Sequence, residues 1–218
     1  MTDYAAARLH MVESQLRTNK ITDQALIDAF LAIPRENFVP NGLKGVAYID
    51  EDIKLAAGRY MMEPMILARL LQAASIDKAS RVLIIGCGLG YGAALLAQLA
   101  GKVVAVEEDA ALASIAVDRL KQIDCLGVTF VQGSLKEGAL AQGPYDVILI
   151  EGAVEAVPEQ LGAQLVEGGH LVTVLRESGS QGRAVLMTRV GSILSRRVIC
   201  DAATPVLKSF AVEPSFVF

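Results

Sequence analysis

The chain is poor in several things that would mark common protein classes. It has only three cysteines, Cys87, Cys125 and Cys200, an odd number with no C-x-x-C spacing. That argues against a disulfide framework and fits a reducing, cytoplasmic setting. Its two histidines, His10 and His170, stand far apart without ligand spacing, so no metal site is expected. There is no excess of positive charge: the formal net charge is −4 and the pI near 5.3, which leaves no electrostatic footprint for nucleic acid. Arg196-Arg197, the tightest basic pair near the C-terminus, reads as a solvated edge. The opening residues MTDYAAARLHMVESQ alternate polar and apolar without a hydrophobic core segment, so no signal peptide is expected. Internal repeats and low-complexity linkers are also missing. What is abundant is apolar residue, 53% against 20% charged over 218 residues, enough for one well-packed domain or one domain with an elaborated N-terminus.

The most informative stretch runs from Arg81 to Glu107, RVLIIGCGLGYGAALLAQLAGKVVAVE. A Val/Leu/Ile run over Val82 to Ile85 suits a parallel strand covered on both faces. Glycines at 86, 88, 90 and 92 follow, letting the chain turn sharply and bring backbone N–H groups close to a ligand. An apolar helix then runs to about Leu99, its N-terminus offering unpaired donors and a positive dipole end. A second strand, Val103 to Val106, ends on Glu107, which can accept hydrogen bonds from both hydroxyls of a ribose. Together these predict a nucleoside-cofactor pocket. Two other readings compete. The segment from Val82 to Gly101 holds no charged residue and is long enough for a membrane span, with glycines in G-x-x-x-G spacing. Four glycines in seven residues at a strand–helix junction describe a turn far better. The segment Gly88-Leu-Gly-Tyr-Gly-Ala93 also satisfies the dinucleotide pattern G-x-G-x-x-A, with Glu107 about 20 residues on. That register leaves Gly86 and Cys87 unexplained. Gly86-x-Gly88-x-Gly90 read directly off the strand is the pattern of S-adenosylmethionine (SAM) sites. Cys87 is small enough to fit that loop, although a thiol at a helix N-terminus is also a candidate for reactivity.

In chain order, Ala5, Leu9, Val12 and Leu16 recur at helical spacing and predict an amphipathic helix over residues 4–18. Thr22 is the expected N-cap of a second helix bearing Leu26, Ile27, Phe30 and Leu31, stopped by Pro34. Residues 34–64 lack periodicity and predict an ordered loop with short extended pieces, of the kind that carries function. A helix from about Glu63 to Ala74 leads into the first strand. Helix 109–123, with Leu112, Ile115, Leu120 and Ile123 as its buried stripe, strands 128–131 and 146–150, helix 157–166 and strand 171–175 follow. Arg183–Val190 and Ile193–Cys200, joined at Gly191, predict a hairpin. The alternation predicts an α/β fold with a doubly wound, mostly parallel sheet. The antiparallel hairpin at its end fits a SAM methyltransferase better than a two-domain dehydrogenase.

Over nearly its full length the chain resembles the protein-L-isoaspartate O-methyltransferase family. The likeness rests on MVESQLRTNKITDQALIDAFLAIPRENFVP (11–40), AYIDEDIKL (47–55), the loop GCGLGYG, and PYDVILIEGAVEAVPEQLGAQLVEGGHLV (144–172); PRENFVP is its most specific block. The resemblance implies a Rossmann-like, seven-stranded sheet in one compact unit. In it, an N-terminal helical and loop extension (1–78) covers the active site of a SAM-binding core (79–218). It implies methyl transfer from SAM to the side carboxylate of isoaspartate in a damaged protein or peptide, with no nucleic-acid or membrane partner. The implied cofactor residues are Gly86, Cys87, Gly88, Gly90, Glu107, Glu108, Ser134 and Leu135.

The likeness has departures. In the family a Gly-Gln-Thr-Ile-Ser type segment orients the acceptor carboxylate through hydroxyls. Here it reads Gly58-Arg59-Tyr60-Met61-Met62-Glu63-Pro64, with Tyr60 for the threonine and Met62 for the serine. Methionine cannot donate to a carboxylate, and Glu63 adds a like charge. Ile84 stands where an acid is often found, and Ser134 replaces the aspartate of a Gly-Asp pair. Glu151-Gly152-Ala153 follows the fourth strand in place of Asn/Asp-Pro-Pro-Tyr, which argues against methylation of bases. The acceptor positions are therefore Arg59, Tyr60 and Met62, with Arg59 a bidentate candidate for the carboxylate. Three outcomes follow: an isoaspartyl methyltransferase; a methyltransferase whose Tyr60, Met61 and Met62 line a changed, apolar acceptor pocket; or a silent member that acts as a binding or regulatory protein.

Overall fold

A computed structural model describes residues 3–177 and 180–211; residues 212–218 of the expected core segment lie outside the described residues. The N-terminal helix α1, Tyr4–Met11, is capped by Asp3, whose Oδ1 accepts from the Ala6 N–H at 3.0 Å. It continues through a π-helical turn, Val12–Leu16, and a 3₁₀ turn, Arg17–Asn19, ending at Lys20 with φ 64°. The π turn changes the phase of the helix. Met11, Val12 and Leu16 are therefore buried together, while Leu9 of the expected stripe faces solvent. In α2, Gln24–Ala32, the N-cap is Asp23 rather than Thr22: its side chain accepts from Leu26 N–H. The Thr22 N–H is bonded instead to Gln72 Oε1 at 2.7 Å.

The non-periodic segment contains 3₁₀ turns and one small antiparallel hairpin, β1 (Ile53–Ala56) and β2 (Arg59–Met61), turning at Gly58 with φ 71°. Helix α3, Pro64–Ala74, starts on a proline, whose missing N–H is harmless in the first turn. Then come β3 (Arg81–Ile85), α4 (Tyr91–Leu99), β4 (Lys102–Glu107), α5 (Ala110–Gln122), β5 (Val128–Gln132), β6 (Tyr145–Val154), α6 (Glu159–Gly162), β7 (Leu165–Leu175), β8 (Arg183–Val190) and β9 (Ile193–Asp201). The seven-stranded sheet has the order β5-β4-β3-β6-β7-β8-β9. Its first five strands are parallel and the last two antiparallel. The expected α/β architecture, including the closing hairpin, is present.

Three local expectations are corrected. Residues 157–166 form only the single turn α6, because β7 already begins at Leu165. Gly168 and Gly169 lie inside that strand, where its register against β6 shifts. Ile115 on α5 is 41% exposed, and Ala116 is buried in its place. The reason is proximity: a β-carbon on Gly90 would lie 3.3 Å from that of Ala116, so only a small residue fits between α5 and the glycine turn. One hydrophobic cluster, on the face of the sheet that carries Ile84 and Leu149, joins the N-terminal residues Phe30 and Phe38 to Tyr91 and Leu95 of α4. The other face buries Leu83, Ile85, Ile148 and Ile150 under Leu161, Leu207 and Phe210.

Candidate functional site

Strand register builds the site. Ile85 pairs with Val106 on one side and with Ile150 on the other. The next residues on the three strands, Gly86, Glu107 and Glu151, therefore emerge in one row at the carboxyl edge of the sheet, where ligands bind in open α/β folds. Gly86, Gly88 and Gly90 have φ of 75°, 53° and 97°, a region costly for any side chain. They close a tight turn in which Gly90 N–H donates to Cys87 C=O at 2.8 Å. The Cys87 thiol is buried there, and burial, with Glu107 and Glu151 nearby, holds its pKa well above the ordinary range. Its side chain packs in the core cluster with Tyr91.

Glu107 is 0% exposed and fully engaged. Its Oε2 accepts from Gly88 N–H at 3.0 Å, and its Oε1 accepts from the N–H groups of Glu108 and Asp109 at 3.0 and 3.1 Å. Arg59, 5% exposed, adds Nη2 at 3.0 Å and Nε at 3.3 Å to the same Oε1. Nη2 also donates to Glu108 Oε1 at 2.7 Å, and that oxygen accepts from Ser209 Oγ at 2.5 Å. Arg59, expected at the acceptor, thus lies on the Glu107 carboxylate.

The glycine turn is covered from two sides. Leu55 of β1 reaches within 2.9 Å of where a β-carbon of Gly88 would stand. From the other side the segment after β9 docks on the end of β6: Ala153 N–H donates to Pro205 C=O at 3.1 Å, and Leu207 N–H donates to Ala153 C=O at 2.8 Å. Leu207 then sits over Gly86 and Gly152, against Leu135. Leu135 is buried beside Gly86, whereas Ser134 is exposed just after β5.

In the acceptor segment, Tyr60 is half-buried, but Met61 and Met62 are core residues. The expectation that Met62 lines an acceptor pocket is corrected: its side chain packs in the cluster of Phe30 and Tyr91. Its carbonyl accepts from Arg35 Nη2 at 2.8 Å. Arg35 is wholly buried, also donates Nε to Ala47 C=O at 2.7 Å, and lies 4.8 Å over the Tyr91 ring. The PRENFVP block therefore clamps Ala47 to Met62 through Arg35. Its Glu36 is held by Arg8 at 3.3 Å and by the Tyr48 hydroxyl. Beside this clamp, Glu151 is buried with an Oε2 that has no hydrogen-bond partner. Burial, with Glu107 adding to it and Arg35 opposing, pushes its pKa up to about 8. Glu63 is pushed up to about 7 by burial and then by Asp52, Asp50 and Glu51. Arg35, Tyr91 and Glu151 went unrecognised as site neighbours. The one visible signal was an acid directly after an apolar strand.

The model of the protein-L-isoaspartate(D-aspartate) O-methyltransferase family matches residues 7–199. The chain belongs to this family. The protein-L-isoaspartate O-methyltransferase of Koribacter versatilis is 36% identical over 215 residues, covering 99% of this chain and 97% of that one. The enzyme of the same name from Methylorubrum extorquens is 40% identical over 179 residues, 82% of this chain and 78% of that one. A solved protein-L-isoaspartate O-methyltransferase superposes with a TM-score of 0.80 at 26% identity, over 91% of this chain; the chain spans 65% of that structure's length. The Plasmodium falciparum protein described as a putative family member in complex with S-adenosyl-L-homocysteine shares the fold, with a TM-score of 0.78 at 17% identity over 96% of this chain and 100% of that one.

The donor set fits an adenosyl cofactor. Three left-handed glycines give the close backbone approach, Glu107 ends β4 one residue beyond the row's pairing, and the atoms that cover them are ends of flexible side chains: Leu55 Cδ1, the Leu207 methyls and the Arg59 guanidinium.

Proposed function

We propose that the chain is a SAM-dependent methyltransferase that esterifies the side carboxylate of isoaspartate in damaged proteins or peptides. The observation that carries this reading is the row Gly86–Glu107 beneath a glycine turn, in a chain of this family. When bound, SAM supplies a methyl group on a positively charged sulfur, already activated for transfer. A carboxylate with an ordinary pKa of about 4 is ionised at neutral pH, so no base has to remove a proton. The protein's own task is to bind, orient and exclude water. The turn Gly86-Cys87-Gly88 through Gly90 would hold the methionine portion, Glu107 and Glu108 the ribose, and Ser134 with Leu135 the adenine. Tyr60 would face the acceptor, on a segment fixed from below by Arg35, with Arg59 beside it on Glu107. Residues 1–78 supply that acceptor wall, and 79 onward the cofactor core. A cytoplasmic location goes with this reading, supported by three free cysteines.

The test is transfer of labelled methyl from SAM to an isoaspartyl peptide, with the aspartyl isomer as control. Base-labile label on the isoaspartyl peptide alone is the expected result; label on neither peptide, from a folded protein that binds SAM, would refute the assignment.

A further inference from the structure

Glu107 already carries five hydrogen-bond donors, two of them from Arg59. Its Oε1 receives two backbone N–H groups and two guanidinium N–H groups, at 3.0 to 3.3 Å. A carboxylate oxygen has about two lone-pair directions, so four donors crowd Oε1, while Oε2 accepts from Gly88 N–H alone. A ribose brings two hydroxyl donors. Of the donors on Oε1, the two guanidinium N–H groups are the ones a ribose hydroxyl can replace, because the backbone N–H groups are fixed by the chain turn.

Arg59 cannot simply lose its charge on leaving, since a guanidinium stays protonated, and a buried cation without a partner is costly. Glu108, bonded to the same Nη2 and tied to Ser209, can keep it at the mouth of the site while its other N–H groups are freed. Arg59 opens the segment that in this family orients the acceptor carboxylate, and it is the segment's one cation. The serine hydroxyl expected at 62 is gone, and the Met62 side chain is buried in the core. A bidentate carboxylate is the partner a guanidinium fits best.

We propose that Arg59 exchanges carboxylates: it closes Glu107 until the ribose takes that side chain, and then binds the carboxylate of the acceptor, so that the acceptor site is complete only once the cofactor is in place. The acceptor half of this exchange rests on the isoaspartyl reading above. Esterification removes the acceptor's negative charge, which returns Arg59 to Glu107 and favours release of both products.

The experiment compares the wild type with Arg59→Gln and Arg59→Lys. SAM and its demethylated product are titrated calorimetrically without acceptor; KM and kcat for an isoaspartyl peptide are then measured at saturating SAM. Arg59→Gln is expected to bind both adenosyl ligands about tenfold tighter and to raise the peptide KM at least tenfold, with Arg59→Lys shifting both in the same directions by less. Three backbone N–H groups still satisfy Glu107 in the variants, and if the glutamine variant fails to fold, the lysine variant carries the comparison. A purely structural role would weaken ligand and peptide together. Weaker or unchanged ligand binding overturns the competition with ribose; tighter binding with an unchanged peptide KM overturns transfer of the guanidinium to the acceptor. If the wild type binds SAM but methylates no isoaspartyl peptide, the functional reading falls with the acceptor half, and the ligand titration alone decides the competition.

Discussion

Glu151 lays its carboxyl group against the backbone of Gly92: a β-carbon at that glycine would come within 2.5 Å of Oε2 and 2.9 Å of the carboxyl carbon. Gly92 lies in the first turn of α4 with ordinary helical geometry, so space and not backbone conformation demands glycine. Gly92→Ala is expected to destabilise by about 1–3 kcal/mol, the usual cost of overpacking a tight core. In an Glu151→Ala background the same change should be neutral or slightly stabilising, because alanine is the better helix former. Urea unfolding of the four proteins gives the cycle directly; a full-size loss that persists in the Glu151→Ala background would show that another neighbour sets the limit.

The same carboxyl makes stability depend on pH. Burial raises its folded pKa from the ordinary 4.5 to about 8, so above pH 4.5 the unfolded chain releases a proton that the folded chain keeps. The contribution of this group is therefore fully present below about pH 4.5 and is lost as the pH climbs toward 8. Glu151→Gln removes that slope. Relative to the wild type, the variant should gain stability from pH 5 to pH 8 by an amount on the order of a few kcal/mol. Parallel pH profiles of the two unfolding midpoints would contradict the buried, neutral acid.

Arg35 joins two carbonyls from separate parts of the chain, Ala47 and Met62, through Nε and Nη2. Arg35→Met keeps much of the buried volume but leaves both acceptors without their donor, so a loss of about 2–4 kcal/mol is expected. At this chain length that lowers the melting temperature by roughly 5–15 °C. Arg35→Lys retains a charge yet cannot reach both carbonyls from one nitrogen with the same geometry, and should fall between. Peptide methylation should drop more than stability at temperatures where both variants are folded, because the clamp holds the acceptor segment.

What was legible in the sequence is local in origin. Apolar runs, glycine spacing and the acid after Val106 specify the sheet, the turn and the carboxylate at the sheet edge, since strand period and glycine conformation act over a few residues. Leu112 and Leu120 of the α5 stripe are buried as expected, but Ile115 gives way to Ala116 because of the approach of Gly90 to Ala116, a contact between distant elements. The 157–166 helix was overextended because the β6–β7 pairing takes Leu165 into the sheet. The Arg59–Glu107 pair joins residues 48 apart, and no periodicity announces such a partner. PRENFVP was recognisable as specific, but its clamp on Met62 needed three-dimensional placement.

The cover contributed by the C-terminal segment has an equally specific weak point at Gly152. A β-carbon there would lie 2.5 Å from Leu207 Cγ and within 3.0 Å of both its methyl carbons, and those atoms seat Leu207 over Gly86. Gly152→Ala should push the segment off the end of β6, breaking the Leu207 N–H to Ala153 C=O bond of 2.8 Å. Hydrogen exchange reads this residue by residue. The Leu207 amide is expected to lose protection by a factor of ten or more, while amides of β3 and β4 keep theirs, because strand pairing does not involve residue 207. Protection lost equally in β3 would mean that Gly152 supports the whole edge of the sheet and not the cover alone. Protection unchanged at Leu207 would mean that its side chain finds another seat beside the new methyl group.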